Sequence, residues 1–90
     1  MGAKAEVGWK RHTEDGVKVE VYAQHIGGHW AFFHRARRHD RWERVAEPPL
    51  ADWLELLDAV RRMIPRRRYQ PDEEGRLKKI ISEKFPGTSV

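Results

Sequence analysis

"VKVEVYAQHIGGHWAFFHR", residues 17–35, decides the fold. Val17, Val19, Val21 and Ala23 alternate with Lys18, Glu20 and Tyr22. That period of two puts the apolar side chains on one side of a strand. Gly27-Gly28 follows, and paired glycines accept the positive φ that a two-residue hairpin turn demands. Folding the chain about them sets Ala23 against Phe32, Val21 against His34, Tyr22 against Phe33 and Glu20 against Arg35. Apolar meets apolar and a carboxylate meets a guanidinium, so the register is consistent on both sides.

Outward from this hairpin, "RWERVA" (41–46) reads as a further strand after a turn at "RRHD" (37–40). With His39-Asp40 central in the turn, Trp42 opposes Arg37 and lies on the side of Tyr22 and Phe33. A slip by one residue would reverse it. Upstream, "GWKRHTEDG" (8–16) is a candidate extra strand from residue 9, joined to Val17 through "EDG", with Trp9 on the Tyr22 side. Residues 1–8 have no periodic pattern and are expected to be flexible.

Glu47-Pro48-Pro49 ends the sheet, because neither proline can donate to a ladder. Leu50, Trp53, Leu54, Leu57, Val60 and Ile64 then recur at helical spacing. Asp52 lies in the first turn of this helix, Arg61 and Arg62 near its end, as the dipole favours. Asp58 and Arg62 can pair four residues apart. Pro65 stops the helix, and Pro71 with Asp72, Glu73 and Glu74 starts another that runs to about Phe85. Leu77, Ile80, Ile81 and Phe85 form its apolar stripe, and Gly75 inside it costs about 1 kcal/mol against alanine.

The expected fold is α+β: an antiparallel sheet of three or four strands, then two helices packed on one face. At 90 residues it is read as a single domain over 9–87 with a tail at 88–90. The helices should cover the face carrying Val17, Val19, Val21, Trp30 and Phe32. No apolar run approaches the ~18 residues of a membrane span, and the amino end lacks a signal-peptide core. With no cysteine, the expectation is a cytoplasmic protein.

The net charge of +4 is unevenly placed. Residues 35–44 carry five arginines against Asp40 and Glu43, and residues 61–68, "RRMIPRRR", carry five with no acid. Two short segments thus hold the whole positive excess, a pattern suited to a polyanion and also to solvated loops and helix ends.

The side of the sheet away from the helices would then display Tyr22, Phe33 and Trp42 among Lys18, Arg35, Arg37, Arg38, Arg41 and Arg44. Rings offer stacking surfaces and guanidinium groups offer phosphate partners. The expected function is non-enzymatic binding of nucleic acid, DNA or RNA, with a protein-interaction or homodimer face as the alternative. Arg66, Arg67 and Arg68 form a secondary candidate contact. The acids of "PDEE" argue against the second helix entering a groove.

Five histidines (His12, His25, His29, His34 and His39) raise a metal site, but no three converge in the hairpin register, and none is expected. Ser82, Ser89, Thr13 and Thr88 have no evident base beside them. No phosphate-cradling glycine loop is present. No cofactor and no catalysis are expected.

Overall fold

In the computed structural model, residues 6–26, 29–37, 39–66 and 69–90 are described. Four strands precede two helices: β1 (Glu6–His12), β2 (Lys18–Ile26), β3 (His29–Arg35), β4 (Glu43–Val45), α1 (Leu50–Met63) and α2 (Pro71–Lys84). The strands form one antiparallel sheet in the order β1-β2-β3-β4. The fold is α+β. It divides into two compact units, Met1–Pro48 and Pro49–Val90.

The β2–β3 register is the one the sequence dictates, with Glu20 opposite Arg35, Tyr22 opposite Phe33 and Ala23 opposite Phe32. The Gly27-Gly28 turn itself lies outside the described residues. Val19, Val21, Ala23 and Phe32 are buried on one face, joined by Val7 from β1. Val17 does not belong with them. It precedes β2, is 48% exposed, and is tied into the turn by its N–H, which donates to Thr13 Oγ1.

β1 is the fourth strand, and it begins at Glu6, taking in residues 6–8 that were expected in a flexible segment; residues 1–5 are outside the described set. The turn through Glu14, Asp15 and Gly16 is closed by Thr13 N–H to the Val17 carbonyl and Gly16 N–H to the Thr13 carbonyl, both at 2.9 Å. Gly16 has φ +82°, the left-handed conformation that a glycine adopts without steric cost. This odd-numbered loop puts Trp9 opposite Val21, where its ring meets Phe32 edge-on at 6.1 Å. Trp9 therefore lies on the Val21 face, and its expected place beside Tyr22 is corrected by the parity of the loop.

β4 is shorter than expected and shifted. Phe33 pairs with Arg44 and His34 with Glu43, so Trp42 falls next in line opposite Arg35 instead of Arg37. The turn is closed by Asp40 N–H to the Arg37 carbonyl (2.9 Å) and by Arg37 N–H to the Asp40 carboxylate (3.2 Å). Aspartate side chains commonly close turns in this way. Moving the turn centre back by one residue shifts the pairing by two, which preserves the face of every side chain.

In the second unit, α1 buries Asp52, Trp53, Leu56, Leu57, Ala59 and Val60. Its buried stripe is turned toward Leu56 and Ala59 and away from Leu54, which is 38% exposed. Asp52 is in the first turn, as the dipole favours, and it is also on the buried stripe because it precedes Leu56 by one turn. Pro71 opens α2, whose Leu77 and Ile81 are fully buried. Arg61 Nε donates to Glu74 Oε2 at 3.0 Å, joining the two helices, and Arg62 pairs with Asp58 as expected.

Candidate nucleic-acid interface

The sheet face opposite Val21 is built in rows across the strands. Gly8, Tyr22, Phe33 and Arg44 form one row, and Lys10, Glu20 and Arg35 the next. Tyr22 and Phe33 are a cross-strand pair whose rings stack at 4.8 Å and 17°. Trp42 meets Tyr22 edge-to-face at 4.6 Å and 88°. Offset-stacked and perpendicular arrangements both suit the ring quadrupole. The three rings therefore form one cluster, with Tyr22 and Phe33 half-buried and Trp42 exposed at 37%.

Arg35 is held from two directions. Its Nε donates to Glu20 Oε1 at 3.0 Å, and its Cζ lies 4.2 Å from the centre of the Trp42 ring. The cross-strand register sets the first contact and the β3–β4 turn sets the second. Its charge is partly compensated by Glu20, so the freer cations on this face are Lys10, Lys18 and Arg44, all exposed.

The face is not open along its whole length. Toward the β2–β3 hairpin end, Gln24 and Ala31 are each 8% exposed. The face is accessible from the Tyr22–Phe33 row toward Lys18, and again beyond the Gln24–Ala31 row, where Ile26 (51%) and His29 are exposed.

Beside the ring cluster, a groove of about 590 Å³ is lined by Gly8, Trp9, Lys10, Glu20, Val21, Tyr22 and Trp42. Gly8 stands opposite Tyr22 in mid-strand. A Cβ built there would meet the Val21 carbonyl at 3.6 Å and Tyr22 Cβ at 3.9 Å, ordinary contacts, so the strand itself does not require glycine. Glycine in a strand interior costs about 0.5–1 kcal/mol relative to alanine. It often marks a bulge, a tight bend or a place where a ligand or another backbone approaches closely, and the unbroken β1–β2 register leaves no bulge at Gly8.

Of the residues singled out in the sequence, Lys18, Tyr22, Phe33, Arg35, Trp42 and Arg44 share this face. Arg37 and Arg41 are exposed beside the β3–β4 turn, outside the strands. Arg38 lies outside the described residues, as do Arg67 and Arg68. Arg66 is exposed after α1, its N–H donating to the Met63 carbonyl at 3.1 Å. Sequence reasoning missed Gly8 and Lys10; placing Trp9 on the correct side of β1 would have brought both to this face. Among the described residues no three His, Asp or Glu side chains gather in a metal-binding arrangement, and no helix is long and apolar enough to cross a membrane. His25 instead packs its ring on Trp30 at 4.7 Å.

No family model, curated protein or solved structure matches this chain.

Proposed function

We propose that the Tyr22–Phe33–Trp42 face of the sheet binds nucleic acid, the phosphates engaging Lys18, Arg44, Arg35 and the arginines of the β3–β4 turn. The observation that carries this reading is the convergence of three rings and a guanidinium stacked on one of them, surrounded by exposed cations. Rings tolerate any base because every base has a π-face, and the cations track the backbone. Arg35 is already desolvated on one side by Trp42 and oriented by Glu20, so little side-chain entropy is lost when it meets a phosphate.

The test is fluorescence anisotropy with labelled single-stranded DNA, single-stranded RNA and duplex DNA at increasing salt, with mass in solution measured in parallel. About four phosphate contacts at the single-strand slope weaken binding about 50-fold between ~50 and ~200 mM salt. Absence of binding at low salt, together with a dimeric mass, overturns the reading in favour of a homodimer face. Binding indifferent to salt overturns it as well.

A further inference from the structure

We infer that the groove over Gly8 is a slot for one unstacked nucleobase, which makes the substrate a single strand and not a duplex. This deepens the proposed function and rests on it.

The slot is delimited by named groups. Gly8, with no side chain, leaves the β1 backbone open next to Tyr22. Tyr22 and Trp42 supply aromatic walls that stand perpendicular to each other. Lys10 and Glu20, an adjacent cross-strand pair, bring a donor and an acceptor to the lining. Flat apolar walls with a few polar groups at one end are the chemistry that reads an aromatic heterocycle. A base in a duplex has both faces stacked and its pairing edge occupied, so it reaches such a slot only by being unpaired.

Gly8 is the second, independent observation. Its backbone has no left-handed φ, and an alanine Cβ would fit, so neither strand geometry nor packing accounts for it. What its bareness does is keep the groove open. A branched side chain there should favour the strand and fill the slot, separating the fold's preference from the site's.

The experiment compares wild type, Gly8→Ala and Gly8→Val with a short oligothymidylate and with duplex DNA, alongside thermal melting of each variant. Wild type is expected to prefer the single strand. Gly8→Val should melt at or above the wild-type temperature yet bind the oligonucleotide about fivefold or more weakly, the loss of one stacked base, while Gly8→Ala stays closer to wild type. Amide shifts on the wild-type protein give the same test without substitution: Gly8, Lys10 and Tyr22 should move when oligothymidylate is added. If wild type binds but Gly8→Val binds equally well, or the amides of residues 8–10 stay still while Arg44 moves, the slot is refuted and the face survives. If wild type binds no oligonucleotide, the underlying reading fails first.

Discussion

Replacing Glu20 with glutamine should weaken the fold and tighten the complex at once. Glu20 and Arg35 are cross-strand partners at 3.0 Å whose side chains are 32% and 20% exposed. Solvent screens a pair of that exposure, so its contribution is about 0.5 kcal/mol, within the range of partly exposed ion pairs. In a domain of this size that corresponds to a fall in Tm of about 2–4 °C. Glutamine keeps the shape and still accepts from Arg35 Nε, so the guanidinium should remain over Trp42 with its charge no longer compensated. One more effective phosphate contact steepens the single-strand salt slope by about 0.7, an extra loss of about 2.6-fold between ~50 and ~200 mM salt. At the lower salt the variant should bind more tightly than wild type. Calorimetric melts and anisotropy titrations over a salt series read both effects. A lowered Tm with an unchanged salt slope would show that Arg35 meets no phosphate.

Two further outcomes concern the scaffold. Gly16→Ala should lower stability by about 1–2 kcal/mol in urea unfolding, the cost of forcing an L-residue into the left-handed region, since its φ is +82° and nothing crowds the Cβ position. Glu74 is held below the usual carboxylate range, first by the hydrogen bond from Arg61 and then by that from Lys78. A depressed folded value stabilises above the unfolded value of 4.5 and loses that contribution as pH falls through the folded one. Melts in acid should therefore show a smaller decline for Glu74→Gln than for wild type, and parallel declines would remove Glu74 from the acid response.

How much was legible depends on what sets each element. The β2–β3 register could be read because both faces agree: shifting Tyr22 away from Phe33 would also separate Glu20 from Arg35 and bury Lys18. The two helices were readable from Pro49, Pro65 and Pro71 together with the apolar spacing. What failed turned on loop geometry. Trp9 was placed on the wrong side because "GWKRH" has no alternation of its own, so the Thr13–Val17 turn alone fixes its parity. Trp42 reached the expected face in the wrong register, since the error was an even number of residues. The orientation of α1 was ambiguous because its apolar arc is wide, and a buried Asp52 contradicts the polarity on which the reading depended. Gly8 stood out to no pattern, since its meaning lies in the ring opposite.

The sheet is a meander, each strand joined to the next along the chain, and its widest pairing connects Glu6 with Gln24. Contacts so close in sequence demand little loop-closure entropy and favour rapid folding. Hairpins close in about 1–10 μs, whereas a ribosome adds about 5–20 residues per second. Among the described residues every strand pairing lies ahead of Pro49. The ladder thus has ample time to zip while the helical half is still being translated, and the order of synthesis delivers the basic surface first.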